Sequence, residues 1–272
     1  MGWEEIVLIL LAAFICELID SSLGMLYGTI LSPSLIIAGY DPLIVVPSIL
    51  LSQALASFIA SLMHHRLNNA TFGFKRKIDA PKSGTDIVNI LRHNTSQDLK
   101  VVIIITATGV IATALAAATA IHIPKEVLKT YIGVLVLIMG VILLLKTKFA
   151  FSWKKLFGVG LISAFNKGMS GGGFGPVVTS GQIISGRSAK KSIGTTALSE
   201  APICIAGFLT YWIINGMQNW NLVLLLTIGA VTGAFIGPFI TARIKSEKLL
   251  ILTLGIMVTL LGLWTLAKTW IF

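Results

Sequence analysis

Lys167 stands in the run Asn166-Lys167-Gly168-Met169-Ser170-Gly171-Gly172-Gly173, inside an otherwise apolar stretch, and this combination of residues suits an anion site. Glycines let the backbone turn tightly and bring N–H groups close to a ligand, and a helix restarting after such a turn offers unpaired donors and partial positive charge. An ammonium beside a nest of that kind makes an anion site. A second polar break, Asp20-Ser21-Ser22-Leu23-Gly24, offers hydroxyls in a matching setting and supplies a second half-site. The simpler reading is that these glycines only permit close helix packing, as small residues commonly do in membranes. The recurrence of the break, the embedded cation and the concentration of polar residues around both breaks favour the functional reading.

The elements that carry these residues are those of a lipid-embedded chain. Of 272 residues, 55% are hydrophobic and 12% charged, and the mean hydropathy of +0.90 lies outside the range of a water-soluble domain. About eight apolar stretches approach the roughly 20 residues needed to span about 30 Å of hydrocarbon, so the backbone must satisfy itself as helix. Continuous hydrophobicity excludes a transmembrane β-barrel. The formal charge of +10 falls in the connections between apolar segments, the positive-inside pattern of an inner-membrane protein rather than a nucleic-acid-binding stripe. Glu4 and Glu5 stand where a signal peptide would be basic, so the first segment is read as structure. Cys16 and Cys204 lie far apart within apolar segments and are read as packing residues, not as a disulfide or zinc framework.

An internal repeat organises the chain. At a shift of 147 residues, Gly24, Tyr27, Gly28, Gly39, Leu51 and Ser52 fall on Gly171, Phe174, Gly175, Gly186, Leu198 and Ser199, and Gln53 falls on Glu200. Further on, Gly133 meets Gly255 at a shift of 122, because the first half carries a longer basic connection, 66–99. The expected architecture is an all-α integral membrane protein of two inverted repeats, 1–146 and 147–272. Each is a broken or re-entrant helix hairpin followed by three transmembrane helices (43–65, 100–121 and 124–146; 189–214, 221–243 and 248–267). The interrupted segments run from about 5 to 39 and 155 to 186, with breaks spanning 20–28 and 166–175 and arms of about 14 residues, too short to cross a bilayer comfortably. If they return as hairpins, 17 Lys and Arg lie on the cytoplasmic side against Lys125, Lys129 and Lys268 outside; if they cross, the split is 12 to 8. The hairpin arrangement fits the charge rule better and puts both termini outside, with loop 66–99 cytoplasmic. Inverted repeats with discontinuous helices at their interface are a transporter signature.

The repeat also sets the residues that face the two breaks. Asp20 is the repeat counterpart of Lys167, so the two either pair as a salt bridge pinning the hairpins or share a ligand. Glu200, with Thr195, Thr196 and Ser199 nearby, lies opposite Gln53 and Ser52; it either carries a coupling proton or hydrogen-bonds the second hairpin, and Glu17 repeats the argument more weakly. The expected site combines Lys167, Asn166, Ser170, Gly171, Gly172 and Gly173 with Ser21, Ser22 and Gly24, and the gating or coupling candidates are Asp20, Glu200, Gln53, Thr195 and Ser199. His64 and His65 at a helix end, His93 in the inserted loop and His122 near the outer face share no ligand spacing, so interface roles are expected and no metal or cofactor is. Lys75-Arg76-Lys77 reads as a solvated basic segment near anionic headgroups. The expected partners are a small anion and the bilayer, with no nucleic acid; a homo-oligomer is compatible with the sequence. A passive anion channel would use the same nests, whereas an intramembrane enzyme lacks a Ser/His or metal-ligand constellation at one depth. A scaffold or insertase would not need the buried lysine.

The run Met-Ser-Gly-Gly-Gly-Phe-Gly-Pro at 169–176, followed by Gly-Thr-Thr-Ala-Leu-Ser-Glu at 194–200, resembles the TauE/SafE family of sulfite exporters, also called the TSUP family. The resemblance extends over the whole chain in length and duplicated layout. It implies export or uptake of small sulfur oxyanions, or of organic sulfonates and sulfoacetate-like compounds. The first repeat departs from the pattern, since Ser-Ser-Leu-Gly-Met-Leu-Tyr-Gly at 21–28 has fewer glycines than the family usually shows. The orientation gives a first prediction: single cysteines placed in loop 66–99 react with an impermeant thiol reagent from the cytoplasmic side only, and labelling from outside would overturn it.

Overall fold

A computed structural model describes residues 2–73, 95–120, 125–145, 152–216 and 219–270. Ten helices lie among them: α1 (Trp3–Leu23), α2 (Tyr27–Ile37), α3 (Pro42–Arg66), α4 (Gln97–Thr119), α5 (Lys125–Leu144), α6 (Trp153–Ser170), α7 (Phe174–Ile184), α8 (Ala189–Asn215), α9 (Trp220–Arg243) and α10 (Glu247–Trp270). Local chemistry sets several starts: the Asp41 carboxylate accepts from Leu43 N at 2.7 Å ahead of Pro42, and Ser96 Oγ and Asn219 Oδ1 accept from Leu99 N and Leu222 N. Six of these helices are long and apolar enough to cross a membrane: Trp3–Leu23, Pro42–Arg66, Gln97–Thr119, Ala189–Asn215, Trp220–Arg243 and Lys248–Trp270. Their outward faces present large apolar side chains, such as Leu8, Ile111, Leu115, Ile213 and Leu260. So continuous an apolar surface is stable in lipid and not in water, and the chain is a multi-pass helical membrane protein.

The interrupted segments differ from the expected pair of equal arms. Helix α1 is 21 residues and α2 11, while α6 is 18 and α7 11. The polar residues 20–23 and 166–170 do not break their helices. Helix continues to Gly24 (φ 77°) and Gly171 (φ 73°), where a left-handed residue lets the N–H bond back to the carbonyl of Asp20 and Lys167 respectively. Hydroxyls in the last turn bond helix carbonyls instead of competing with them, as with Ser21 Oγ to Glu17 O at 2.6 Å and Ser170 Oγ to Asn166 O at 2.9 Å.

Helix bounds recur between the halves: α2 and α7 both hold 11 residues and start 147 positions apart. Counterparts that touch run antiparallel. Along α3 and α8, His64 lies beside Gly194 and Leu50 beside Gly207; along α5 and α10, Gly133 lies beside Leu266 and Gly140 beside Thr259. Each short helix folds back against the longer one before it. Tyr40 OH donates to Glu5 Oε1 at 2.7 Å, bringing the end of α2 to the start of α1. Burial and the Glu5 carboxylate push the Tyr40 phenol up to about 12, so it remains a donor. In the second half Arg187, just past α7, donates to Asp98 Oδ1 at 2.6 Å near the start of α4, the helix that flanks α6 through Ile105–Gly160 and Thr113–Gly168.

The tips of the two helical hairpins pass each other in backbone contact. A methyl group on Gly28 would overlap the Gly171 carbonyl, one on Gly172 would lie 2.7 Å from Gly28 O, and one on Gly175 would meet Gly24 O. Beside them, α9 packs on α1 through Gly229, Gly233 and Gly237, each against the α1 backbone or Ser21. Arg66, Arg187, Lys190 and Arg243 collect at one end of the bundle, where Lys190 Nζ donates to Ala242 O at 2.9 Å; Glu5 and Tyr40 mark the opposite end. His64 corrects the expected interface role. It is fully buried, with its Nε2 2.9 Å from Ser21 O and its Nδ1 3.0 Å from Asn69 Nδ2, and so pins the end of α3 to the end of α1. Lys75, Arg76, Lys77, His93 and His122 lie outside the described residues.

Close backbone approach at the tips predicts that Gly172→Ala destabilises the folded protein by about 1–3 kcal/mol, the usual range for overpacking. Gly158→Ala on α6, where the added methyl meets nothing within 4 Å, is the control and leaves stability unchanged or raised. Thermal unfolding in detergent compares them; equal stability of both variants would refute the tight crossing.

Candidate functional site

The longest helices cross one another near their middles, and there α3 contributes Gln53 and α8 contributes Glu200. Lys167 reaches this crossing from the last turn of α6 and is 1% exposed. Its Nζ donates to Glu200 Oε1 at 2.8 Å and to Gln53 Oε1. The Gln53 amide nitrogen donates in turn to Asp20 Oδ2 at 3.1 Å, and Asp20 Oδ1 accepts from Tyr27 N at 3.3 Å. At the other end Ser57 Oγ donates to Glu200 Oε2 at 3.4 Å. The chain Asp20–Gln53–Lys167–Glu200 thus runs through two residues of the first half and then two of the second, which are their counterparts at the 147-residue shift. Asp20 does not pair directly with Lys167: Gln53 stands between them, and the carboxylate on the ammonium is that of Glu200.

The other expected residues are placed as follows. Gly171 N donates to Lys167 O, Gly172 N to Ser170 Oγ and Gly173 N to Thr29 Oγ1, so the three nest amides have partners within the protein. Ser21 Oγ bonds Glu17 O and Gly233 O, and Ser22 Oγ bonds Ile19 O; neither hydroxyl bonds Lys167. Gly24 O accepts from Thr179 Oγ1 at 3.1 Å. Ser199 Oγ returns to Thr195 O, and Thr195 Oγ1 donates to Gln182 Oε1 at 2.8 Å. The structure therefore joins Lys167, Glu200, Gln53 and Asp20 directly, while the glycines, Ser21, Ser22, Thr195 and Ser199 surround them in separate bonds.

Some members were not singled out by sequence. Ser57 stands one turn from Gln53 on α3, and Tyr27 places its buried OH 2.8 Å from Ser52 Oγ. Between α7 and α8 a polar seam runs from the basic end toward the crossing: Arg187 Nε to Gln182 Oε1, Gln182 Nε2 to Thr196 Oγ1, and Thr179 Oγ1 to Thr196 Oγ1. Its counterparts between α2 and α3 include Leu35 and Ile49, which belong to the apolar core. The legible signal was the recurrence of polar residues at i, i+3 and i+4 on α7 and α8 inside apolar segments.

Two buried groups at the crossing have polar atoms without a partner. Both side-chain atoms of Asn166, which is 0% exposed, lack one, as does Glu17 Oε2 at 1% exposure. Glu17 lies one helical turn before Asp20 and interacts electrostatically with Asp20, Glu200 and Lys167. Buried polar groups are normally satisfied, and these two lie on α6 and α1, the helices that carry Lys167 and Asp20. No cluster of metal-ligating side chains occurs among the described residues.

The family profile described as sulfite exporter TauE/SafE matches residues 80–265. A protein of Bacillus subtilis (strain 168) named "Probable membrane transporter protein YtnM" is 24% identical over 282 aligned residues, covering 98% of this chain and 85% of that protein. No solved structure matches. With the family profile spanning well over half of its length, this chain belongs to the TauE/SafE sulfite exporter family of membrane transporters.

Proposed function

We propose that the protein is a secondary transporter, working as an exporter, of a small sulfur-containing anion such as sulfite or an organosulfonate, with its binding site at the crossing of the two hairpins. The observation that carries this reading is Lys167: a cation buried between the halves, close to the middle of α3 and α8, in a network built of repeat-equivalent residues. A charge at that depth is expensive and is retained where it serves an ion pathway. Asn166, with both amide atoms unpartnered, supplies further donor and acceptor capacity beside it. The Gly173 amide, held across the tips by Thr29 Oγ1, becomes a ligand when the tips separate; the Gly171 and Gly172 amides and the Ser21 and Ser22 hydroxyls bind by exchanging the bonds they make to Lys167 O, Ser170 Oγ, Glu17 O and Ile19 O.

Two inverted repeats, 1–146 and 147–272, are favoured by the antiparallel course of counterpart helices, and re-entry of each hairpin by the Tyr40–Glu5 and Arg187–Asp98 closures at opposite ends of the bundle. In this arrangement one repeat rocks against the other about the Gly28–Gly172 crossing and exposes Lys167 to each side in turn. The basic end, with Arg66, Arg187, Lys190 and Arg243, faces the cytoplasm of an inner membrane, and both termini lie outside.

The test is flux of sulfite, sulfate, thiosulfate and a small sulfonate in sealed liposomes, with wild-type and Lys167→Met protein. Wild type moves at least one of them with countertransport, and Lys167→Met loses flux by at least about tenfold, the scale expected when a fully desolvated ionic contact to the ligand is removed. Fast flux without countertransport would make the protein a channel instead, and undiminished flux in a folded Lys167→Met variant would remove the site from this position.

A further inference from the structure

The crossing holds one buried cation and three buried acids. Glu17, Asp20 and Glu200 are 1%, 7% and 2% exposed, and Lys167 is 1% exposed. Helix α2 gives Tyr27, and α3 gives Gln53, Ser52 and Ser57, with His64 one end farther on and bonded to Ser21 O and Asn69. Helix α9 gives Gly233 and Gly237. Cys16 on α1 and Cys204 on α8, each adjoining an acid along its helix, are buried thiols. No second ammonium or guanidinium faces the trio among the described residues; Arg187 is committed to Asp98 and Gln182.

Charge balance follows from this inventory. Three carboxylates against one ammonium would leave two uncompensated negative charges in a desolvated site, which neutralisation by protons relieves. Only the Glu200 carboxylate bonds the ammonium directly, and Glu17 Oε2 has no donor at all. An entering anion competes with Glu200 for the same ammonium. If Glu200 gave way while still ionised, the site would carry one more uncompensated negative charge. If it takes a proton as it gives way, a monovalent anion replaces it with no change of net charge; a dianion leaves one charge unmatched.

We propose that a monovalent oxyanion replaces the Glu200 carboxylate on Lys167 and crosses together with one proton, which Glu200 accepts and Glu17 and Asp20 relay. The co-transported ligand is thus a proton, and the preferred substrate is a singly charged sulfur oxyanion or sulfonate. No covalent bond forms; the proton taken up by the carboxylate on one side is released on the other as the anion leaves and Glu200 returns to Lys167. This inference rests on the anion-transporter reading above, and sets its stoichiometry and charge selection; because a proton gradient directed inward opposes outward co-movement, export then runs on the outward concentration gradient of the anion itself.

The test uses the full chain in sealed liposomes with methanesulfonate, a monoanion across the working pH range, and with sulfite, against protein-free liposomes. In wild type an inward proton gradient of one pH unit drives accumulation of about tenfold, as one-to-one proton linkage requires. Clamping the membrane potential with valinomycin and potassium leaves that accumulation unchanged, and sulfate competes weakly. Glu200→Gln loses gradient-driven accumulation while tracer exchange at symmetrical pH stays detectable, and Glu17→Gln lowers the accumulation ratio, giving a second variant if Glu200→Gln fails to fold. Anion uptake that follows the membrane potential and ignores the pH gradient overturns the proposal and leaves the transporter reading standing. Absence of flux for both probes and for the other sulfur anions in wild type removes the transporter reading, and this one with it.

Discussion

The structure depends on a single constraint: an ammonium has been brought to the middle of a lipid-embedded bundle, and it must be neutralised and hydrogen-bonded there. Lys167 meets that requirement through Glu200 Oε1 and Gln53 Oε1. Those partners come from the two longest helices, α8 and α3, so the pair can form only if these helices cross antiparallel near their centres. Gln53 then has an amide left over, which Asp20 accepts. Each bond hands an unsatisfied group to the next element, and the network ends by tying α1, α3, α6 and α8 together. Removing one partner of such a buried pair costs about 3–5 kcal/mol, because the other charge stays behind.

The glycines serve the same end by a different physics. For Lys167 on α6 and Asp20 on α1 to approach the same crossing, the two hairpin tips must pass closer than any side chain allows, and Gly28, Gly172 and Gly175 remove the atoms that would collide. In this conformation the nest amides at 171–173 are occupied by Lys167 O, Ser170 Oγ and Thr29 Oγ1. Only the Gly173 amide is held across the tips, by Thr29 Oγ1; those of Gly171 and Gly172 are bonded within their own hairpin. The halves are also not chemically equal. The α7–α8 seam is hydrogen-bonded through Gln182, Thr196 and Thr179, whereas the first two have the core residues Leu35 and Ile49 as counterparts and Thr179 has Ser32, which donates to Ser170 O instead.

Much of this was legible along the chain. Hydropathy alone required helices in lipid, since no other backbone arrangement satisfies uninterrupted apolar segments of that length. The 147-residue shift located the paired breaks, and the lone lysine inside one of them marked the site, because an intramembrane charge has few reasons to persist. The breaks were drawn too wide, however. Polar residues such as Ser21, Ser22 and Asn166 look like helix breakers in a pattern, yet their helices run on to Gly24 and Gly171, because in lipid a hydroxyl gains more by bonding its own helix carbonyl than by competing with it.

What the sequence by itself determined was the class of protein, a multi-pass helical membrane transporter, together with the resemblance that names its family. Tertiary structure alone decided the partners of Asp20 and Lys167. The repeat made Asp20 and Lys167 equivalent, but equivalence under a two-fold relation does not make two residues neighbours; which side chains meet depends on where the axis passes and how closely the helices cross. That crossing put Gln53 between them and Glu200 on the ammonium. It also left Glu17 and Asn166 with unfilled bonds, and drew His64 inward to Ser21. Periodicity and spacing describe one helix at a time, whereas these contacts join residues on different helices, from 33 positions apart for Lys167 and Glu200 to 114 for Lys167 and Gln53, through distances that only packing sets.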